Sequence, residues 1–286
     1  MAGLMATKLK FLDRLAFWRK KGTVVPALRL SGVIGSMPLR GAGLTLSSLE
    51  RQIEALFAPK DAPAAVLLLN SPGGSPVQSS LIAQRIRALA EEKKRPVYAF
   101  VEDVAASGGY WLACAADEIY ADPASIVGSI GVVSAGFGFP NALARLGVER
   151  RVHTTGDRKA LLDPFRPERP EDLELLREIQ GDILGGFIAW VRGRRGARLK
   201  EDAGELFDGR IWTAERALGY GIVDGLAEPR AFVRERFGKE ARLRVLEPRR
   251  GILARLLRRG GPDVAAVVGE VLAGLEERAL WQRYGL

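Results

Sequence analysis

Apolar positions along this chain switch repeatedly between two spacings, and the switches mark out its elements. Residues 24–34 (VVPALRLSGVI) read as an extended segment that opens the main domain. Thr45 is placed to cap a helix running to about Phe57, because Leu46, Leu49, Ile53 and Leu56 recur on one face. Residues 64–70 (AAVLLLN) form a short, wholly apolar run ending in a Pro-Gly-Gly turn. That is the pattern of a strand buried on both faces. A helix over 78–92 comes next, with Leu81, Ile82, Ile86 and Leu89 inward. The alternation then repeats: strand 97–101, a short apolar helix 107–116, strand 118–121, helix 141–146, an extended piece 151–154 and a long helix 172–191. Strands alternating with helices imply right-handed crossovers and a largely parallel sheet, so the fold class is α/β.

The two ends read differently from this middle. Residues 1–22 are basic, and Leu9, Leu12, Leu15, Phe17 and Trp18 recur at roughly helical spacing. Such a segment suits an amphipathic helix lying on a membrane surface, or equally one docked on protein. The main domain is expected over 23–240. A basic extension occupies 241–286, with a strongly basic stretch at 249–259 and a helix at 262–280. The longest apolar runs are about eight residues, far short of the ~20 a helix needs to cross a bilayer. The continuous apolar core of a secretory signal is missing from the N-terminus. These features point to a cytoplasmic protein or one peripheral at the inner membrane.

Composition narrows the classes further. With 286 residues, 47% hydrophobic and 27% charged, the chain is long and apolar enough for a sizeable core, and disorder is excluded. The net charge is +9, and arginines far outnumber lysines, 33 to 10. That excess favours anionic surfaces at long range, but no motif that reads RNA or DNA accompanies it, so no nucleic-acid partner is expected. Cys114 is the single cysteine, which rules out an internal disulfide and a multi-cysteine metal cage. There is no phosphate-binding loop of the Walker type. Neither metal nor cofactor is expected.

Candidate chemistry gathers at two turns. Residues 104–110 (VAASGGY) come after a buried strand and open a helix, with small neighbours that leave room for a substrate backbone beside Ser107. Ser107 is a candidate nucleophile at a helix N-terminus, where the dipole favours developing negative charge; a simple serine cap is the other reading. Residues 70–74 (NSPGG) end another strand, and the two glycines can present backbone N–H groups to an oxyanion. A plain strand-to-helix turn is the alternative there. A serine also needs a base. His153, the one histidine, falls in an apparent strand far from Ser107 in sequence, without an obvious acidic partner. Lys159 stands in TGDRKALLD (155–163), after that strand, in a chain that elsewhere prefers arginine; a buried lysine can lose enough basicity to act as a base.

The segments NSPGG (70–74), ASGGYW (106–111), GSIGV (128–132), TGDRK (155–159) and DGRIWTAERALGYGIVD (208–224), in this order and spacing, resemble the S49 signal peptide peptidases. The resemblance covers roughly 24–238. It implies a ClpP/crotonase-like spiral of mostly parallel strand units with flanking helices. It further implies Ser107 as nucleophile, Lys159 as general base and Ser129 as the residue that helps hold that lysine. Gly74 and Gly108 would donate the oxyanion N–H groups. Single-copy members work as ring-like homo-oligomers in which serine and lysine come from adjacent subunits. The expected substrates are hydrophobic peptides such as cleaved signal peptides, with 126–139 (IVGSIGVVSAGFGF) apolar and glycine-rich enough to line their groove. Many relatives carry a membrane anchor, whereas this sequence offers only its basic amphipathic segment, which leaves peripheral contact with an anionic membrane as the expectation. Three readings compete: a Ser-His-Asp caseinolytic-type protease, a crotonase-like acyl-CoA enzyme that would use the same oxyanion device without a serine nucleophile, and a catalytically silent membrane-associated scaffold.

Overall fold

The computed structural model describes residues 22–35, 43–156, 158–200, 206–246, 281, 282 and 284. The N-terminal basic segment and the helix expected at 262–280 lie outside the described residues.

The apolar run of the first two strands sets the architecture. β1 (Val24–Ser31) and β2 (Ala65–Ser71) pair in parallel, with Ala27 opposite Val66 and Leu30 opposite Leu69. Successive β2 side chains point to opposite faces. Ala65, Leu67 and Leu69 enter one buried cluster, while Ala64, Val66 and Leu68 enter another. Both faces are dry, as the sequence pattern requires. Burying each leucine contributes roughly 2 kcal/mol by area.

Helices cover the first face. α1 (Leu46–Phe57) starts at Thr45, whose hydroxyl accepts from the Ser48 N–H while the Ser48 hydroxyl accepts from the Thr45 N–H. It buries Leu49, Ile53, Leu56 and Phe57. α2 (Pro76–Glu92) begins with Pro76 in its first turn and Ser75 as its cap, and buries Ile82, Ala83 and Ile86. Of the expected inward residues Leu81 is the exception, standing exposed. β3 (Val97–Ala106) joins β2 and runs straight into the short α3 (Gly108–Ala113), which is buried throughout.

Beyond β3 come β4 (Glu118–Ala121) and β5 (Ile126–Gly128), which pair with successive stretches of β3. After β5 the chain leaves the body. Gly131–Phe139 carries exposed Val133 and Phe137, α4 (Pro140–Arg145) has no buried residue, and the segment returns only at α5 (Pro170–Arg195). The extended piece expected at 151–154 joins no strand, and most of it is exposed. β6 (Ile211–Thr213) pairs antiparallel with β5, α6 (Ala214–Gly219) comes directly after it, and β7 (Gly225–Leu226) pairs with β4. α7 (Pro229–Phe237) closes the second face, where Phe232 packs against Tyr98, Phe100 and Tyr120. β8 (Arg242–Val245) then pairs with β1. The sheet therefore runs past the domain end expected at 240.

The described strands form one sheet in the order β6-β5-β3-β2-β1-β8, with β4 branching from β3 and β7 beside β4. All pairings except β5–β6 are parallel. No helix among the described residues is long and apolar enough to cross a membrane.

One buried ion pair ties the long α5 to this body. The Arg195 guanidinium, 2% exposed, donates to both Asp224 oxygens at 2.6 and 3.0 Å and to the Gly221 carbonyl. Asp224 also accepts from the Ile119 N–H on β4. Burial alone would raise the Asp224 carboxyl, but the hydrogen bonds and charge of Arg195 outweigh it and hold the group below the ordinary carboxylate range. Nearby Cys114 is fully buried, and burial pushes its thiol up to about 12, so it is a core residue without thiolate reactivity.

An Asp224→Ala variant leaves that guanidinium buried without its counter-charge and is expected to lose about 3 kcal/mol or more. Urea midpoints across pH check this. The wild-type protein should hold the contribution above the ordinary carboxylate pKa and lose it as pH falls through the depressed folded value, so the gap between the two midpoints narrows in acid.

Candidate active site

Three strand ends finish side by side at one end of the sheet. β3 and β5 are in register through Ala106 opposite Gly128, so the next residues, Ser107 and Ser129, leave adjacent strands together. On the other flank Ser71 of β2 lies opposite Ala105 and leads into Pro72, Gly73 and Gly74.

Ser107 sits between strand and helix with φ 52° and ψ −122°. A non-glycine residue at positive φ is uncommon and costs about 1–3 kcal/mol in such sparsely populated regions. It persists because both its backbone groups are tied. Its N–H donates to the Gly128 carbonyl at 2.8 Å, and its carbonyl accepts from Trp111 as α3 begins. This sharp turn leaves the hydroxyl half-buried rather than covered, without a hydrogen-bond partner among the described residues. The side chain makes no cap bond to α3, so the plain cap reading is set aside.

The Pro-Gly-Gly turn lies against this serine with backbone, not side chain. A Cβ on Gly73 would stand 2.8 Å from the Ser107 Cβ and 2.9 Å from the Gly108 nitrogen. One on Gly74 would stand 2.0 Å from the Ile34 carbonyl oxygen, and one on Gly108 2.4 Å from the Ser79 hydroxyl oxygen. No other residue fits these positions, and Gly73 and Gly74 also have φ of 106° and 141°.

The bridge between Ile34 and Gly74 uses the Gly73 carbonyl and the Ser75 N–H. The Gly74 N–H is therefore turned to the opposite side and has no partner among the described residues. Gly108 is the first residue of α3, where an N–H has no intrahelical acceptor. Two backbone donors without a partner among the described residues thus flank the serine, an arrangement able to stabilise an oxyanion.

Several supporting groups surround this turn, and of them only Ser129 is named from the sequence. The fully buried Ser71 hydroxyl accepts from the Gly73 N–H at 3.2 Å, and the Ser79 hydroxyl donates to the Ser75 carbonyl at 2.9 Å, holding both limbs of the glycine turn. Ser129 has φ 53°, and its N–H donates to the Arg210 carbonyl. Tyr284, near the end of the chain, brings its hydroxyl within 3.5 Å of the Ser129 oxygen and 3.4 Å of the Pro72 carbonyl. A lone serine and a distant tyrosine carry no pattern a sequence reader could weigh.

Ser107, Ser129, Gly74 and Gly108 are brought together. No hydrogen bond or ion pair among the described residues links either candidate base to them. Lys159 is exposed on the 131–169 segment and makes no ion pair among the described residues; only its N–H is engaged, by the Gly156 carbonyl. His153 is exposed on the same segment. Among the described residues no group of three or more His, Cys, Asp or Glu is arranged to hold a metal ion.

Residues 89–241 match the profile of Peptidase family S49. A Brucella abortus (strain 2308) protein named Na(+)/H(+) antiporter NhaA is 48% identical over 280 residues, covering 94% of this chain and 38% of the relative. The chloroplastic serine protease SPPA of Arabidopsis thaliana is 31% identical over 218 residues, covering 75% of this chain and 30% of the relative. The chain thus spans well under half the length of these curated relatives. Among solved structures, a lysine-to-alanine variant of the 1510-N membrane-bound stomatin-specific protease, in complex with a substrate peptide, superposes with a TM-score of 0.52. That match is 18% identical and covers 88% of this chain and 99% of the other, so it speaks for a shared fold.

Gly73→Ala should push the turn off Ser107 and slow its labelling by a fluorophosphonate probe by about 100-fold, the scale of losing one oxyanion donor. Far-UV circular dichroism should stay near wild type. Labelling at the wild-type rate would show that the close backbone approach is not required.

Proposed function

Because this chain belongs to peptidase family S49, we propose that it is a serine endopeptidase with a Ser107/Lys159 dyad, cutting hydrophobic peptides such as cleaved signal peptides. The observation that carries the reading is the strained Ser107 turn beside two unpartnered N–H groups, in a place where no Cβ fits. In the proposed cycle a neutral Lys159 takes the proton of Ser107 as Oγ attacks the peptide carbonyl. Gly74 and Gly108 hold the oxyanion, each donor worth roughly 3–4 kcal/mol in comparable sites. Ser129, one residue beyond the strand paired with β3, helps hold the lysine amine. The protonated lysine passes its proton to the leaving amine, and water releases the acyl group.

The base is proposed to come from a neighbouring copy of the chain. Among the described residues no hydrogen bond joins Ser107 to a basic side chain. Lys159, in turn, rides on a segment whose apolar side chains have no cover: Phe137 is 83% exposed and Leu146 75%, with Val133 and Val148 also open. Apolar surface of this kind on a soluble face marks an interface. A ring-like homo-oligomer covers it and delivers each lysine to the next serine in one step. The net charge of +9 supports a further contact with an anionic membrane surface.

Ser107→Ala and Lys159→Ala are each expected to lower hydrolysis of a fluorogenic hydrophobic peptide by at least about 1,000-fold. Mixed in equal amounts and reassembled, the two dead variants should recover about a quarter of wild-type activity, since one interface in four pairs an intact serine with an intact lysine. Full activity in Ser107→Ala removes the nucleophile. Failure of the mixture to regain activity removes the shared site.

A further inference from the structure

The strand that carries Ser107 changes partners part-way along. β3 pairs with β4 through Tyr98–Val101 and then with β5 through Val104–Ala106. Against β2 its register shifts at the same point: Leu69 faces Val101, but Ser71 faces Ala105. Asn70 alone therefore spans Glu102, Asp103 and Val104, a bulge of two extra residues. A bulge bends its strand and re-aims the residues beyond it, and the nucleophile stands only three residues on.

Backbone groups in a bulge lose their ladder partners and must find others. Asn70 supplies them from one side. Its side-chain oxygen accepts from the Val104 N–H at 3.3 Å, and its amide nitrogen donates to the Asp103 carboxylate at 2.5 Å. The Val104 N–H can only donate and the carboxylate can only accept, so the amide's orientation is fixed. From the other side the buried Ser125 hydroxyl donates to the Glu102 carbonyl at 2.5 Å, with the Val101 carbonyl at 3.3 Å. Ser125 itself is locked in the turn between β4 and β5. The bulge is thus clamped on both edges, and only a group with one acceptor and one donor on a single planar head can serve at position 70.

We propose that Asn70 is a positioning residue for the hydrolytic reaction. By clamping the β3 bulge it sets the register with which Val104–Ala106 delivers Ser107 to the Gly74 and Gly108 donors. Side chains alternate along a strand, so a slip of one residue would turn the hydroxyl away from them. This rests on the reading of Ser107 as nucleophile, and the experiment separates the two.

Steady-state kinetics on a fluorogenic hydrophobic peptide would compare Asn70→Asp, the double variant Asn70→Asp/Asp103→Asn, and Ser107→Ala, each with its melting temperature. Asn70→Asp keeps an acceptor for Val104 but sets two carboxylates against each other. It should lower kcat by about 30-fold or more, with KM within about twofold, as expected for a misplaced reacting group. Exchanging the pair restores one donor between positions 70 and 103, and should bring kcat back to within about threefold of wild type. Wild-type kcat in Asn70→Asp, while Ser107→Ala is inactive, overturns the positioning role and leaves the nucleophile standing. So does a folded double variant that stays inactive, and this arm decides the matter if Asn70→Asp alone does not fold. Activity in Ser107→Ala sinks the underlying reading instead.

Discussion

Backbone meets backbone at one end of the sheet with no side chain between, and that approach governs how this protein is built. Gly73 passes the Ala106 carbonyl and the Gly108 nitrogen, Gly74 the Ile34 carbonyl and Gly109 the Ser71 carbonyl, all at distances a Cβ cannot share. Such closeness is useful only if it is held to a few tenths of an ångström. The dry, two-faced packing around β2 and β3 provides that precision, because a core packed like a crystal does not deform smoothly. The parallel sheet is what brings the three turns to the same edge, since parallel strands all finish at the same end.

Two parts of the molecule obey opposite rules. The body is fixed by apolar burial and by directed polar links, of which Arg195 with Asp224 is the most enclosed. The 131–169 segment has few such links. Arg150 pairs with Asp163 and lies over the Phe165 ring, which gives the segment local order without burying it. The proposed nucleophile and oxyanion donors stand on the first part, and both candidate bases on the second. Under the proposed division of the site, covering the open segment and completing the chemistry become the same event.

Much of the body is legible because its signals are local. The run AAVLLLN announces a strand buried on both faces, and Thr45 with Leu46, Leu49, Ile53 and Leu56 after it announces a capped amphipathic helix. Ser107 and the glycines stand out because small residues after an apolar strand have few other uses. The failures are long-range. Residues 151–154 alternate like a strand but find no neighbour to pair with, and β8 joins the sheet only because β1 offers a free edge. Lys159 is considered as a buried base from the sequence, whereas its side chain is exposed in the structure. The clamps from Ser71, Ser79, Asn70 and Ser125 are invisible in the sequence because a lone polar residue acquires meaning only from the backbone atoms it reaches.

The pairing of Ala106 with Gly128 places two strained residues next to one another, since Ser107 and Ser129 both hold positive φ. Strain of this kind relaxes unless it is over-determined. Here each serine N–H is committed to a carbonyl on a neighbouring segment, Ser107 to Gly128 and Ser129 to Arg210. Relaxing either residue would break a bond to the strand beside it, and the Trp212 ring packed on Gly128 blocks the simplest adjustment of that strand. The chain β3, β5, β6 therefore acts as a ratchet in which each turn is held by the next. Two hydroxyls are kept at one sheet edge in conformations that neither would adopt alone.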